Sequence, residues 1–410
     1  MRIFMPLLVC AAVFACPVVV QAKLKPLGDK ELSNITGQAF VSIDRQYNPD
    51  PTQNVAYTRV NLGMNVETQL NVAKLDLGHY NRNDTATGGE AEAPGSSDVL
   101  VNNFSLGYIQ NDQYYQNTSA HPYNSELPRM LKPDGSAYQN GDIVPFTIKD
   151  PYLEFAYDQT TNDIVGVRLG FGQSEGVLSG NIKYMTGNVN VKIVDHGEGL
   201  KNAKSQGNLF DQMVKFLTPV LAGSSPLIAQ AQLVHGAQND PKLGQLDPVR
   251  AQYIGLPNGE NFTLKGVSSL VAGVIKLISP TLSSPITLTN CNLLTCDVNA
   301  VAQNCQVLGI QACFPLSQYN SFPIGQITNV NGQNYITGPS SGLFMSFETK
   351  TVQWLKDVSK QNPTSSDYIT AGPGAFFNIP SGSTQVNLDQ ALYGIQRYRT
   401  EYIDRGVGLF

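Results

Sequence analysis

The chain is short of charge, of histidine and of catalytic signatures, and each shortage removes a class of function. Charged side chains number 27 basic and 32 acidic among 410 residues, for a net charge of −5. That mild acidity argues against nucleic acid and against anionic membrane surfaces as partners. There is no GxSxG, no HExxH, no phosphate-cradling GxxxxGK[ST] and no EF-hand loop. The four histidines, His79, His121, His196 and His235, are scattered. After the first twenty residues no apolar run reaches the ~18 residues of a spanning helix, so no transmembrane segment is expected in the mature chain. Neither a metal nor a cofactor is expected, and the chain reads as a non-enzyme.

One acidic cluster is weighed against that reading. Asp195-His196-Gly197-Glu198 falls at the end of a predicted strand, where such residues can hold a metal or move a proton. The same residues beside glycine also describe an ordinary polar turn, which is the preferred interpretation. A secreted hydrolase with two carboxylates assembled in space leaves no local motif and stays open as an alternative.

What is present first gives an address. Met1-Arg2 and an apolar stretch from Ile3 to Val20 precede Val20-Gln21-Ala22, with small residues at the −3 and −1 positions. A signal peptide over 1–22 is expected, cleaved between Ala22 and Lys23. Cys10 and Cys16 would leave with it. The remaining Cys291, Cys296, Cys305 and Cys313 crowd into one short stretch, which in an oxidising compartment predicts two disulfides. Three pairings are possible, and the sequential one closes the smallest loops. A zinc site fits poorly, because the spacings match no CxxC knuckle and no histidine is near. With 17 Phe and 18 Tyr, and with Asn and Gln together outnumbering all charged residues, the mature chain reads as a folded, β-rich exported protein.

Periodicity supports that class. Val60, Leu62, Met64, Val66, Leu70 and Val72 alternate with Arg59, Asn61, Gly63, Asn65, Glu67, Gln69 and Asn71. This predicts one long strand with a buried apolar face and a wet polar face, bent near Ala73-Lys74. Residues 151–194 predict a meander of short strands carrying Leu153, Phe155, Tyr157, Val165, Val167, Leu169 and Phe171, punctuated by Gly172, Gly176, Gly180 and Gly187. The spacing shifts to a helical stripe over 207–235 and again from Gly266 to Ile278; with no basic face, both helices are expected to pack on the core. A last helix is predicted from Asn387, with Gln390 at the capping-box position. The expected fold class is mainly β, an extended or sandwich/roll-like antiparallel sheet with helical insertions. Its expected organisation is a signal peptide over 1–22, a β-rich part over 23–200, a helical and cysteine-clustered part over 201–320 and a carboxy-terminal part over 321–410. The Tyr- and Asn-rich segment 111–142 is the candidate recognition loop.

The segment Asp29…Leu32-Ser33…Thr36-Gly37-Gln38 resembles the start shared by FilA-like pilus-assembly proteins of Gram-negative bacteria. The ending Tyr398-Arg399-Thr400-Glu401-Tyr402-Ile403-Asp404-Arg405-Gly406 is similar to the FilA-type carboxy terminus. The resemblance implies an exported structural, assembly or adhesive component of a pilus or fimbrium. Its implied partners are other pilus or envelope proteins, or a host or surface ligand. The cell surface, fimbrium or medium is then the expected location, with the periplasm as alternative. A periplasmic carrier of an apolar or lipid ligand is the competing function.

Overall fold

Residues that alternate in polarity set most of this chain into strands, and the protein is mainly β, as expected. The computed structural model describes residues 41–50, 52–81, 96–113, 127–330, 333–398 and 400. The expected signal peptide with Ala22 and Lys23, and the motif residues Asp29, Leu32, Ser33, Thr36, Gly37 and Gln38, lie outside them. So do His121 and much of the similar carboxy-terminal ending.

The chain opens with β1 (Val41–Tyr47), β2 (Val55–Leu62), β3 (Asn65–Thr68), β4 (Leu70–Leu77) and β5 (Val99–Leu106). Three long strands follow, β6 (Phe146–Asp158), β7 (Ile164–Tyr184) and β8 (Gly187–His196). Then come helix α1 (Leu209–Leu221), β9 (Pro226–Val234), β10 (Tyr253–Gly255), β11 (Asn261–Ser268) and helix α2 (Ser269–Ile278). Strands β12 (Ile286–Thr289), β13 (Thr295–Val301), β14 (Cys313–Pro315), β15 (Ser321–Ile324) and β16 (Phe344–Glu348) come next. Last are β17 (Val352–Leu355), β18 (Tyr368–Ala371), β19 (Gly374–Ile379), β20 (Gln385–Val386) and helix α3 (Leu388–Tyr393).

All of these strands except the β17–β18 pair join in three connected sheets. The first runs β1–β2–β6–β7–β16–β19–β8, antiparallel except for the final parallel pair. The second runs β4–β5–β7–β15. The third joins β8 to β9 and β20, and continues through β11, β13 and β12 on one side and β10 and β14 on the other. Strands from all three expected stretches, 23–200, 201–320 and 321–410, therefore interleave, and Phe40–Phe410 is one compact unit.

The long strand expected over 59–72 is three strands. The chain turns sharply where the Met64 N–H reaches the Leu62 carbonyl at 2.8 Å. Strands β2 and β3 pair with β6 in the first sheet, whereas β4 pairs with β5 in the second. The break thus sits at Gly63-Met64 and again at Gln69, while at the expected irregularity the β4–β5 pairing skips Ala73 and Asn103, the latter at φ +51°, so that Val72, Leu75 and Leu77 all pack on the main core. The meander is corrected in the opposite sense. Gly172, Gly176 and Gly180 do not end strands, because β7 runs 21 residues through them. At Gly176, with φ +136°, β7 exchanges β6 for β15. A Cβ there would lie 2.9 Å from the Phe146 Cα, so only glycine lets the two backbones approach so closely.

The main core fills the space bounded by the second and third sheets and the outer strands of the first. A smaller core, with Tyr57, Ala156, Phe344, Trp354 and Phe376, lies between the first sheet and the β17–β18 hairpin. Helix α3 forms as predicted: the Asn387 side chain accepts the Gln390 N–H at 2.8 Å, and the Gln390 side chain answers to the Asn387 N–H at 3.0 Å.

Candidate functional site

The first sheet shows why period alone misassigns the faces. Positions 59, 154 and 168 are charged, yet Arg59, Glu154 and Arg168 are all buried. They neutralise one another: Arg168 Nε donates to Glu154 Oε2 at 2.7 Å, and Arg59 Nη1 lies 3.8 Å from Glu154 Oε1. Arg168 also donates to the Leu355 carbonyl at 2.7 Å, and its guanidinium lies within about 5 Å of the Phe344, Trp354 and Tyr152 rings. Burial pushes the Tyr152 phenol up to about 12, so it stays protonated. A Cβ at Gly170 would strike that ring at 2.1 Å, so the glycine makes room for it.

Because the charged side of these strands is the buried one, the apolar side faces outward. Ile43, Val60, Leu153, Leu169 and Met345 stand in register across β1, β2, β6, β7 and β16. Beside them runs a second row, Arg45, Thr58, Phe155, Val167 and Phe347. A third is Tyr47, Ala56, Tyr157 and Ile164. Ile43 is 69% exposed and Ile164, Leu169 and Phe347 are exposed as well. At the other end the rows continue into buried Phe377 and Ala375, so the face runs from the main core to the β1 edge. Among the described residues no strand pairs with the outer edge of β1. Contiguous apolar faces of this kind are uncommon on soluble monomers.

Helices α1, α2 and α3 and the third sheet enclose a second apolar feature, a cavity of about 50 Å³. Its walls include Ile193, Val214, Phe262, Ile275, Val298 and Phe314. A dry cavity of ~150 Å³ accepts benzene. The present one holds no acyl chain unless the helices move apart.

The cysteines pair sequentially, Cys291–Cys296 and Cys305–Cys313. These bonds suit an oxidising, exported environment. The second spans a tight hairpin that turns at Leu308 and Gly309, both left-handed. Asp195, His196 and Glu198 do not converge. Asp195 accepts the His196 N–H at 2.7 Å and the Leu388 N–H at 2.9 Å, fixing the start of α3, while Glu198 pairs with Lys201. Among the described residues no three His, Cys, Asp or Glu gather as a metal site would require, and no helix is long and apolar enough to cross a membrane. Sequence reading missed His235, whose Nδ1 lies 2.9 Å from Asp240 and 3.7 Å from Asp247. Burial raises the Asp247 carboxyl above its ordinary value, with His235 opposing. The five-residue spacing of His235 and Asp240 around a turn was the available signal. Of the expected recognition segment, Leu127 and Met130 are buried in the main core. Residues 114–126 lie outside the described ones.

Comparison with known proteins adds one match. A model described as "Family of unknown function (DUF6160)" matches residues 1–111. No curated protein and no solved structure matches the chain. The matched stretch runs through β1 to β5 and so includes the first two strands of the exposed apolar face.

Proposed function

We propose that this chain is an exported, non-enzymatic surface protein, a structural, assembly or adhesive component of a FilA-like pilus or related envelope system. The observation that carries the reading is the outward apolar face of the first sheet. Its three registered rows end at the unpaired β1 edge. Leaving Ile43, Leu153, Leu169 and Phe347 in water costs solvation that a partner protein recovers by covering them. The rows also carry Tyr47, Phe155, Phe347 and Arg45, the residue types that anchor protein interfaces. The partner is therefore another pilus or envelope protein, and the site is the cell surface or fimbrium.

The test is fractionation of the native cell into sheared fibres, outer membrane, periplasm and medium, with protease shaving of intact cells. Recovery in the fibres, and its loss in a Leu169→Asp/Phe347→Asp variant that still folds, is the expected result. A protected, wholly periplasmic pool overturns the surface assignment. A second reading, a carrier of an apolar ligand, requires α1 and α2 to part over their small apolar cavity. Organic extraction of the purified protein decides it, because a stoichiometric lipid is expected of a carrier and not of an assembly component.

A further inference from the structure

Of the two helices expected to pack on the core, α2 does so on one side only. In α2, Ala272 and Ile275 are buried, while Leu270 is 85% and Leu277 80% exposed, with Val274 exposed between them. The three exposed residues recur at i, i+4 and i+7 and so share one face. Beside that face stands the loop closed by Cys291–Cys296, whose tip presents Leu293 at 94% and Leu294 at 75% exposure. The two features are joined. The Ser269 N–H donates to the Leu294 carbonyl at 2.9 Å, and the Ser269 hydroxyl donates to the Asn292 carbonyl at 3.2 Å.

Three observations say what covers this crest. The first is charge: residues 266–296 hold a single charged side chain, Lys276, which is turned back to the Ile286 carbonyl at 3.1 Å. The nearest carboxylate, Asp297, is occupied by the Gly266 N–H at 2.9 Å and the Asn290 amide at 2.8 Å, and no basic row is there to seek an acidic partner. The second is composition: the exposed residues are Leu and Val, with no Trp, Tyr or Arg. Protein interfaces draw their strength from those absent types, and Leu and Val are under-represented among their anchors. The third is the backbone of the tip, which is largely satisfied from within. Asn292 Oδ1 accepts the Leu294 and Thr295 N–H groups, each at 2.8 Å, and the Asn292 N–H reaches the Thr295 carbonyl at 2.8 Å. A segment entering hydrocarbon cannot leave such groups unpaired, and this tip meets that requirement.

We infer that the α2 face and the Leu293-Leu294 tip form a lipid-docking crest, seating the protein on a bilayer surface by shallow insertion of leucines. The occupant is the acyl region of a bilayer. Because no basic residues take part, docking depends on apolar burial and not on anionic headgroups. The disulfide holds the tip in its inserting shape, so little ordering is left to be done on contact.

The experiment is flotation of the full mature chain with phosphatidylcholine vesicles, with and without added phosphatidylglycerol, at low and high salt. Wild type is expected to float equally well in all four conditions. Leu293→Asp/Leu294→Asp is expected to lower the partition coefficient at least about tenfold, since burying one leucine accounts for that much. Leu270→Asp/Leu277→Asp should do the same independently. All four positions are exposed, so an unchanged thermal transition checks that each variant folds. Failure of the wild type to float overturns the inference, as does flotation that needs anionic lipid or low salt. So does flotation that both variants retain. A lipid-free dimer that either variant dissolves assigns the crest to a second copy and also overturns it. None of these results depends on the first sheet, so the assembly reading stands or falls separately.

Discussion

Replacing Glu154 by glutamine removes the charge that holds two buried arginines in the first sheet. The Arg168 side chain is wholly buried, Arg59 and Glu154 nearly so, and Glu154 is within 4 Å of both. At an effective dielectric of ~20, one such contact is worth about 4 kcal/mol before desolvation. Removing one partner of a buried pair costs about 3–5 kcal/mol, because the survivor stays uncompensated. Arg59 keeps a partial alternative in Asp44 at 3.4 Å, whereas among the described residues Arg168 is left with the Leu355 carbonyl and the ring faces. The loss therefore concentrates at Arg168. Set against a total stability of roughly 5–15 kcal/mol, it moves the urea midpoint well below that of the wild type. The assay is direct, since Trp354 is the single tryptophan, is fully buried and stacks beside Arg168. Its fluorescence should report the loosening of this layer. In Glu154→Met/Arg168→Met the isolated charge is gone, and much of the stability should return relative to Glu154→Met alone. A Glu154→Gln cost below about 1 kcal/mol, or a double variant no better than the single, would refute the reasoning.

Two further outcomes follow from the same geometry. Hydrogen bonds from the Lys360 ammonium, then from the Thr364 N–H and hydroxyl, hold the Asp367 carboxyl down to about 2 from an ordinary 3.8. A carboxylate with a depressed folded pKa stabilises above its unfolded value and loses that contribution as pH falls through its folded one. The turn before β18 should therefore loosen between about pH 4 and pH 2, as read by amide exchange of residues 360–368, and Asp367→Asn should abolish that pH dependence. Replacing Cys305 and Cys313 by alanine opens a short loop and should cost about 2–3 kcal/mol in urea unfolding; a loss under 0.5 kcal/mol would mean the hairpin is fixed by its own hydrogen bonds.

Most strand and helix types were legible because period is a local property, but the helical stripe expected over 207–235 ends at Leu221, and Pro226–Val234 is strand β9, held by its pairing with β8. The residues around 59–72 and 151–194 alternate and are strands, and Asn387 with Gln390 caps α3 as its spacing requires. Which face is buried was not legible on β2, β6 and β7, because that depends on distant partners. Arg59 reads as a solvent residue until Glu154 is brought to it, and Arg168 until Trp354 covers it. The single 21-residue β7 was hidden for a related reason: glycines that end strands elsewhere serve here as points of close approach. The exposed sheet face is that error turned around, since the apolar residues assigned to the core are the ones that meet solvent.

The two apolar surfaces differ in chemistry, and the difference implies two partners. The first-sheet face is strand-borne, mixes aliphatic with aromatic side chains, and borders Arg45 and the β1 edge. Such a face can bury rings against a partner, and the edge can offer backbone hydrogen bonds that fix a register. The α2 crest lacks rings and arginine and keeps most of its tip's amide groups occupied, so it offers a protein few specific contacts. Nonspecific burial in hydrocarbon uses what the crest has, and specific docking uses what the sheet has. A protein bearing both can rest on a bilayer through one surface while the other remains free to join an assembly. A variant altered on one surface should therefore lose one interaction and keep the other.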